Sequence, residues 1–320
     1  MNIVCATDDN FIQHCSIMLV SLLCNNKDVD IYILTEGLTP SNKQIIEDEV
    51  SDKGGRVLFC NVDSTLINNL PLSKAPGLNH ISKATYYRLL IADILPQEVD
   101  KVIYLDCDIV VNDSLEELWQ MDMTGKAIAA SPQIGSGYNC ERLGYPIEDG
   151  YFNAGVTMMN LAYCRQKHIT EELLEYAAEN HEKLLLNDQD VLNGVLHNRA
   201  IHILPQWNMT SACYMFELDK RGDKRNGFVI NDYAAAKKNI RERGMNPCIV
   251  HYVSKPKPWQ DGCTNPLYHL YYEYAKRTLH FSGLIPQDEK QRQKTVKKEF
   301  LRNVLSAIKQ RIRKTDQTRM

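Results

Sequence analysis

Residues 3–11 of the chain read Ile-Val-Cys-Ala-Thr-Asp-Asp-Asn-Phe, an apolar run that passes directly into a polar turn. The apolar residues 3–6 predict a short buried strand, and the polar residues 7–10 include side chains suited to capping a helix. Apolar residues at helical spacing then predict a helix over 11–23. Outward from this unit, the sequence predicts a strand at 30–35, a helix at 40–53 and a strand at 56–62. This β-α-β-α-β order is typical of a parallel sheet with helices on its faces.

Later residues continue the α/β pattern, and no internal repeat is found. Strands are predicted at 101–105, 126–131, 154–161 and 248–253, and helices at 82–95, 169–181 and 188–197, the last capped by Asn187 or Asp188. A segment at 132–150 combines glycines with tyrosines, which suits either a lid that closes over a substrate or an ordinary surface loop.

The composition is that of a folded protein with an ordinary charge content. Of the 320 residues, 44% are apolar and 24% are charged, so a sizeable core can form and global disorder is excluded. No apolar run approaches the roughly 18 residues that a membrane-spanning helix needs. The first nine residues lack a basic segment and already contain two aspartates, so we expect no secretion signal.

Ten cysteines are spread along the chain, and none of them forms a Cys-x-x-Cys pair. Zinc-ribbon and thioredoxin-type sites are therefore not supported. Most of these cysteines lie in apolar runs, as buried reduced thiols do, so we expect the protein to work in a reducing cytosol.

The net charge of −3 is unevenly distributed along the chain. Residues 290–320 carry 11 Lys/Arg and 2 Asp/Glu, whereas the rest carries 26 basic and 38 acidic residues, a net charge of −12. An acidic body argues against nucleic-acid binding. The apolar residues of the tail recur at helical spacing: Leu301, Val304, Leu305, Ile308 and Ile312. The tail at 282–320 is therefore predicted to be a basic amphipathic helix that binds an anionic membrane surface, a solvated disordered tail being the alternative.

Two carboxylates follow the predicted strand at 101–105. In open α/β sheets, ligands bind beyond the carboxyl ends of the strands. If the backbone stays extended, Asp106 and Asp108 point to the same side while Cys107 turns inward. Two hard oxygens form half a site for Mg²⁺ or Mn²⁺, and the imidazole of His251 would complete a mixed set that favours Mn²⁺.

The Asp-x-Asp pattern alone is a weak signal. It also occurs at 28/30 and 188/190, although only the pair at 106/108 follows a buried apolar strand. A solvated turn is the alternative interpretation of that pair. Walker A and Gly-x-Gly-x-x-Gly patterns are absent, so phosphate sites of those kinds are not supported.

Seven short motifs follow one another along the chain. They are Ala6-Thr7-Asp8-Asp9-Asn10-Phe11, His80-Ile81-Ser82, Tyr86-Tyr87-Arg88, Tyr104-Leu105-Asp106-Cys107-Asp108, Tyr151-Phe152-Asn153-Ala154-Gly155, Asn187-Asp188-Gln189-Asp190, and His251-Tyr252 followed by Lys257-Pro258-Trp259. Together they resemble the retaining glycosyltransferases of family 8, and in particular the bacterial α-galactosyltransferases and α-glucosyltransferases that extend lipooligosaccharide cores. The resemblance runs from residue 3 to about residue 259, roughly 80% of the chain.

The resemblance implies a GT-A fold. Residues 1–281 would form one α/β catalytic domain, with a mostly parallel nucleotide-binding sheet flanked by helices and with acceptor-binding loops, followed by the basic tail. It also implies a UDP-sugar donor and Mn²⁺ (or Mg²⁺) as cofactor. The family's metal ligands fall on Asp106, Asp108 and His251.

The resemblance assigns the donor contacts as well. The nucleotide contacts fall on Ala6, Thr7, Asp8, Asn10 and Phe11, with Phe11 stacking on the uracil. The diphosphate and its neighbouring groups would meet Arg88, Lys257, Cys107 and Ser254, and the sugar would be held by Asn153, Asp188 and Gln189. Ser254 stands where the family often has glycine, which leaves the geometry of that loop open. The acceptor would meet His80 and the segment 207–228, which contains Trp207, Tyr214 and Phe216.

The candidate catalytic residues are Gln189, Asp188 and Asp190. A retaining enzyme can use a carboxylate nucleophile, as glycosidases do. The residue facing the anomeric carbon would be Gln189, whose amide is a poor nucleophile. We therefore expect front-face transfer, in which the acceptor hydroxyl enters on the side of the leaving group and a phosphate oxygen takes its proton. Asp190 is the alternative nucleophile.

The sequence thus favours a hexosyltransferase that moves galactose or glucose from a UDP-sugar to a saccharide or glycolipid acceptor. We expect it in the cytoplasm, peripheral to the inner face of the membrane, in lipopolysaccharide or other cell-surface polysaccharide synthesis. Three alternatives remain at this point: a nucleotide-sugar-binding protein without transferase activity, a metal-dependent phosphohydrolase, and a lipid-binding module that acts through the tail.

Overall fold

The computed structural model of the chain describes residues 1–67, 70, 83–134, 136–215 and 233–286. The predictions for His80 and Phe216, and those for the tail beyond residue 286, lie outside the described residues. Among the helices that are described, none has the length and apolar character needed to cross a membrane.

Strands and helices alternate through the described residues. The strands are β1 (Asn2–Ala6), β2 (Asp30–Thr35), β3 (Arg56–Asn61), β4 (Lys101–Leu105), β5 (Ile109–Val111), β6 (Ile128–Pro132), β7 (Phe152–Asn160), β8 (Ala200–His202), β9 (Met209–Thr210) and β10 (Ile249–His251). The α-helices are α1 (Ile12–Asn25), α2 (Pro40–Asp52), α3 (Ile91–Ile94), α4 (Glu116–Trp119), α5 (Tyr138–Leu143), α6 (Leu161–Gln166), α7 (Ile169–Glu179), α8 (Asp188–Leu196), α9 (Ala212–Met215), α10 (Tyr233–Arg243) and α11 (Tyr268–Ala275).

Seven of the described strands form one mostly parallel sheet in the order β3-β2-β1-β4-β7-β6-β8. Strands β1 to β4 pair in parallel, and β6 pairs in parallel with β8. Only β7 in this sheet runs the other way, because it pairs antiparallel with both β4 and β6. The predicted α/β architecture with a mostly parallel sheet is confirmed.

A small second sheet, with the order β5-β10-β9 in the described residues, lies beside the carboxyl end of β4. Strand β10 pairs antiparallel with β5, and this register sets His251 opposite Ile109. On its other side β10 pairs in parallel with β9, which sets His251 opposite Thr210. The chain leaves β4 and enters β5 within four residues, so His251 is brought next to the end of β4.

The large sheet is the middle layer of three, because successive side chains along its strands enter different cores. Ile3 and Cys5 of β1 pack with α1 and α2 on one face, whereas Val4 packs with α3, α6, α7 and α8 on the other. Each fully buried aliphatic side chain of this kind stabilises the fold by about 1.5–3 kcal/mol. The two cores hold the strand ends rigidly in place.

Three local predictions need correction. The helix predicted at 82–95 is a 3₁₀ helix at Lys83–Leu90 that continues into the short α3. Helix α1 has Phe11 at its N-cap and no side-chain cap, since the carboxylate of Asp8 accepts from the backbone N–H of Asn10 instead. Helix α8 likewise has no side-chain cap at Asn187, whose φ is +49°.

Candidate active site

Three side chains converge at the end of β4. His251 Nε2 lies 3.1 Å from Asp108 Oδ1 and 3.7 Å from Asp106 Oδ2, and ligand atoms of all three residues lie within 4.8 Å of one another. His251 is 2% exposed, whereas the two aspartates are open enough to meet a ligand. The structure therefore brings together the three predicted metal ligands, although His251 lies far along the chain from Asp106 and Asp108.

The two carboxylates converge by a route that the sequence did not predict. Residues 106–108 are not extended but form the turn between β4 and β5. The backbone N–H of Asp106 donates to the carbonyl of Gly155 at 2.9 Å, and the carbonyl of Asp108 accepts from the N–H of Tyr252 at 3.0 Å. The turn is thus fixed at one end by β7 and at the other by the residue after β10. The prediction of extended backbone is therefore wrong, although the two carboxylates do converge as predicted.

The donor set fits a divalent cation. An amide oxygen can only accept a hydrogen bond, so Asn208 Oδ1, at 2.9 Å, places the proton of His251 on Nδ1 and turns the Nε2 lone pair toward Asp106 and Asp108. A lone pair that faces two carboxylate oxygens is favourable only with positive charge among them. Two hard oxygens and one imidazole suit Mn²⁺, and Mg²⁺ less well.

A lysine adds positive charge to this group. Lys257 Nζ lies 2.6 Å from Asp108 Oδ2 and also donates to the carbonyls of Tyr252 and Val253. Burial by itself would raise the pKa of Asp108, but the ammonium group of Lys257 holds that pKa well below its usual value. Asp108 is therefore ionised at neutral pH and ready to bind a cation.

Arg88 lies beneath the site and bridges two of its carboxylates. Its guanidinium contacts Asp106 Oδ1 at 2.7 Å and Asp188 Oδ2 at 2.8 Å, and donates to the carbonyl of Ala154 at 2.7 Å. The ring of Tyr104 covers one face of the guanidinium at 4.4 Å. Arg88 thus orients Asp106 and links it to α8, while its contact with the diphosphate stays a prediction.

Asp188 is buried at the start of α8. One carboxylate oxygen accepts from the hydroxyl of Thr85, and the other is paired with Arg88. Desolvation outweighs both partners and raises the pKa of Asp188 to about 6. The carboxylate is consequently held by neighbours on the 3₁₀ helix, and its predicted contact with the sugar is untested.

Gln189 is fixed at both ends of its amide. Its oxygen accepts from Asn153 Nδ2 at 3.1 Å and from the backbone N–H of Ala154 at 3.0 Å. Its nitrogen donates to Gln133 Oε1 at 2.8 Å and to the hydroxyl of Tyr151 at 3.1 Å. The oxygen of this amide is fully engaged, which further lowers its value as a nucleophile.

Asp190 has a different environment from the other candidate catalytic residues. It is completely buried, and its carboxylate receives two hydrogen bonds from the Arg142 guanidinium and one from the Tyr151 hydroxyl. The backbone N–H groups of Leu185 and Leu186 each donate to it at 2.7 Å. These contacts favour a role in holding the loop before α8 over a role as the nucleophile.

The loop after β1 carries the predicted nucleotide contacts. The ring of Phe11 is 40% exposed and meets His14 edge-on, with ring centroids 5.2 Å apart. His14 in turn stacks on Trp259 at 3.7 Å, and desolvation lowers the pKa of His14 to about 4. Phe11, His14 and Trp259 therefore form an uncharged aromatic surface, and the exposed ring of Phe11 is available to stack on a flat base.

The remaining predicted donor contacts differ in accessibility. Thr7 is buried and its N–H donates to the carbonyl of Leu34, whereas Asn10 and Ser254 are exposed. The thiol of Cys107 turns inward as predicted and donates to the carbonyl of Ala6 at 3.2 Å. The end of β1 is consequently tied to the turn that carries Asp106 and Asp108.

One acceptor prediction is wrong. Trp207 is only 4% exposed and packs in the core against the large sheet, so its ring face is not available to a sugar. Tyr214 is half-buried and donates its hydroxyl proton to the carbonyl of Gly244.

Comparison with known proteins agrees with this geometry. The family described as glycosyl transferase family 8 matches residues 2–263. The chain belongs to glycosyltransferase family 8. General stress protein A of Bacillus subtilis (strain 168), a relative of this family 8 chain, is 30% identical over 284 residues, which are 87% of this chain and 94% of that protein.

Two further relatives are informative. The lipopolysaccharide 1,3-galactosyltransferase of Salmonella typhimurium (strain LT2) is 26% identical to this family 8 chain over 275 residues, 83% of the chain and 75% of that enzyme. The crystal structure of the galactosyltransferase LgtC with donor and acceptor sugar analogues superposes with a TM-score of 0.74 at 25% identity, covering 90% of this chain and 98% of LgtC. The architecture that this chain shares with LgtC is the GT-A fold.

Two residues of this family 8 site, Asn208 and Gly155, have roles that were not predicted from the sequence. Asn208 joins His251 to Asn153, since its Oδ1 contacts His251 Nδ1 at 2.9 Å and its Nδ2 donates to Asn153 Oδ1 at 2.8 Å. Gly155 lies so close to the site that a Cβ on it would be 2.2 Å from His251 Cε1 and 2.6 Å from Asp106 Oδ2. Neither role has a signal in a single sequence, because both depend on chain segments that meet only in the fold.

Asn208→Ala should weaken Mn²⁺ binding by about 10- to 100-fold, because the His251 ring loses the acceptor that fixes its tautomer. Binding can be followed by electron paramagnetic resonance of free Mn²⁺, without any substrate. Asn112→Ala is the matched control, since Asn112 also ties β5 to the chain before β10 but lies outside the site. Equal Mn²⁺ affinity in the Asn208 variant and the wild type would contradict this role.

Proposed function

We propose that this family 8 glycosyltransferase moves galactose or glucose, with retention of configuration, from a UDP-sugar to a saccharide or glycolipid acceptor. The observation that carries the proposal is the convergence of Asp106, Asp108 and His251, with Lys257 at 2.6 Å from Asp108. The proposal is supported by the similarity to LgtC, whose structure holds donor and acceptor sugar analogues, and to a lipopolysaccharide galactosyltransferase.

The residues of the site suit departure of a nucleoside diphosphate. A divalent cation, Mn²⁺ or Mg²⁺, held by Asp106, Asp108 and His251 would offset the charge that develops on the leaving UDP. Lys257 adds a fixed cation on the same side. Arg88 holds Asp106 at the correct angle through a charge-assisted hydrogen bond, so the carboxylate does not have to reorganise during the reaction.

Front-face transfer agrees with the environment of the candidate nucleophiles. The bond from the anomeric carbon to the phosphate oxygen breaks, the acceptor oxygen bonds to the same face, and its proton passes to the departing phosphate oxygen. The Gln189 amide is held by Asn153, Ala154, Gln133 and Tyr151, which makes it a rigid support for the sugar. Its expected role is to position the sugar ring.

A panel of UDP-sugars with Mn²⁺ tests the proposed function. We expect UDP release from UDP-galactose or UDP-glucose, slow without an acceptor and faster when a saccharide or glycolipid acceptor is present. A nucleotide-sugar-binding protein would bind the donor without releasing UDP. A phosphohydrolase would instead release inorganic phosphate and would tolerate the loss of Phe11.

Gln189→Ala should slow turnover by about 10- to 100-fold, because the sugar loses a positioning contact while the leaving-group chemistry is kept. Initial rates of UDP release with a fixed acceptor measure the effect, and Gln120→Ala, on an exposed turn, is the control. Mass spectrometry should find no sugar covalently attached to the wild-type protein. A glycosyl adduct trapped on wild-type Asp190 would contradict front-face transfer.

The place of action is proposed from the sequence of the tail. We expect the protein on the cytoplasmic face of a bacterial membrane, bound to anionic lipid through residues 282–320. A chain ending at Phe281 lacks the tail. It keeps the hydrogen bonds from the N–H groups of Leu279 and His280 to the Glu49 carboxylate, which hold residues 279–280 against helix α2. It should float with anionic liposomes at least about 10-fold less than the full chain. Equal flotation of both chains would contradict a membrane role for the tail.

A further inference from the structure

Three buried thiols lie directly behind the metal-binding turn, on three different parts of the fold. Cys5 belongs to β1, Cys15 to α1, and Cys107 lies between Asp106 and Asp108. The Cys5 and Cys15 sulfurs are 4.0 Å apart, and all three sulfurs lie within 4.8 Å of one another. We call these three residues the cysteine triad.

The fold itself brings the triad together. Strand β1 pairs in parallel with β4, so Cys5 and the residue two beyond the end of β4 lie on neighbouring strand ends. Helix α1 begins six residues after β1 and packs back on the same face of the sheet, where its Cys15 is in the core with Cys5 and Cys107. Cys5 and Cys15 are fully buried and Cys107 is 7% exposed.

The spacing of these sulfurs suits a thiophilic cation. A Zn–S bond of about 2.3 Å places thiolates about 3.8–4.0 Å apart in a tetrahedral or trigonal site. The separation of 4.0 Å between the Cys5 and Cys15 sulfurs matches this value, and the Cys107 sulfur lies within 4.8 Å of both. Soft sulfur ligands select cations such as Zn²⁺ and Cd²⁺ over the hard Mg²⁺ and the borderline Mn²⁺, which prefer the oxygen-rich group on the other side of the turn.

We propose that the cysteine triad is a second metal site, which binds one thiophilic divalent cation of the Zn²⁺ or Cd²⁺ kind through three sulfurs. Three thiols lose their protons to solvent as three metal–sulfur bonds form, so the occupied site carries one net negative charge. The thiol of Cys107 then no longer donates to the carbonyl of Ala6. The site is therefore linked through the backbone to the loop that follows β1.

Titration of the full-length protein with Cd²⁺ tests the proposal. Excess Mg²⁺ is present to occupy the oxygen-rich group. We expect one Cd²⁺ per chain, with sulfur-to-cadmium charge-transfer absorption in the ultraviolet and a ¹¹³Cd chemical shift in the range of three sulfur ligands. Cys15→Ser should weaken this binding at least about 100-fold. Cys24→Ser is the matched control, because Cys24 lies on the same helix but is exposed, and it should bind as the wild type does.

The outcomes are distinguishable even if a substitution disturbs folding. The ¹¹³Cd shift of the wild type needs no variant, and a shift typical of oxygen and nitrogen ligands would overturn the proposal. Absence of the charge-transfer band in the folded wild type would also overturn it. A band that persists in a folded Cys15→Ser protein, or one that disappears in Cys24→Ser, would place the cation elsewhere. Circular dichroism establishes that each variant is folded.

Discussion

Asp108→Asn should reduce the kcat/KM of sugar transfer on the order of 1,000-fold and weaken Mn²⁺ binding by a comparable factor. Asp108 is the carboxylate on which His251 and Lys257 converge, at 3.1 Å and 2.6 Å. An asparagine keeps the shape of the side chain but removes one negative charge from the group and leaves Lys257 without its carboxylate partner. The remaining ligands, one carboxylate and one imidazole, would then face a local excess of positive charge.

The fold should survive this change. Lys257 keeps its contacts with the carbonyls of Tyr252 and Val253, so the melting temperature should fall by only a few degrees. Asp122→Asn is the matched control, because it neutralises an exposed carboxylate that accepts hydrogen bonds from Thr124 in a turn. Calorimetric Mn²⁺ titration and initial transfer rates measure the two effects. Wild-type Mn²⁺ affinity in the Asp108 variant would remove this residue from the metal site.

The first three strands and the two helices between them could be predicted because each is specified by a local pattern of apolar and polar residues. Residues 1–62 contain three apolar strands separated by helices with clear turns, and adjacent strands of this kind pair in parallel. The structure confirms that these strands pair in parallel, and it has them in the order β3-β2-β1 with β4 next to β1. The ends of these strands could therefore be located from the pattern of apolar and polar residues alone.

The small sheet could not be predicted in the same way. Strands β5 and β10 have three residues each and pair across a large separation along the chain, and β9 has only two residues. The sequence predicts a strand at 248–253, where β10 lies, but segments as short as β5 and β9 have no periodicity that distinguishes them from loops. The turn at 106–108 depends on this sheet, because the chain must leave the large sheet there to enter the small one. The assumption of extended backbone therefore failed where long-range pairing overrides local preference.

The candidate site likewise contains residues that could be predicted from the sequence and residues whose roles could not. Charge and strand position identified Asp106, Asp108 and His251, because carboxylates at the end of a buried strand are unusual enough to notice. The roles of the residues that hold these three side chains in place could not be predicted from the sequence. Asn208 acts on His251 through a hydrogen bond between chain segments 43 residues apart, and Arg88 reaches both Asp106 and Asp188 from a helix. Both roles come from tertiary packing.

Gly155→Ala should weaken Mn²⁺ binding at least about 100-fold although the substitution adds a single methyl group. Gly155 lies in strand β7, and its φ is not positive, so its backbone conformation does not require glycine. The requirement is space, because a Cβ there would be 2.2 Å from His251 Cε1 and 2.6 Å from Asp106 Oδ2. Neither neighbour can move cheaply, since His251 is bonded to Asn208 and Asp106 is bonded to Arg88 and Tyr104.

The loss should be specific to the metal site, beyond the general cost of overpacking, which is about 1–3 kcal/mol. Gly194→Ala provides the comparison, because a Cβ at Gly194 would lie 2.3 Å from the Tyr176 ring in a different part of the core. Both variants should lower the melting temperature by similar amounts, whereas only Gly155→Ala should lose Mn²⁺ affinity and sugar transfer together. If the two variants bind Mn²⁺ equally well, Gly155 is required for packing alone and the close approach of β7 to His251 has no part in metal binding.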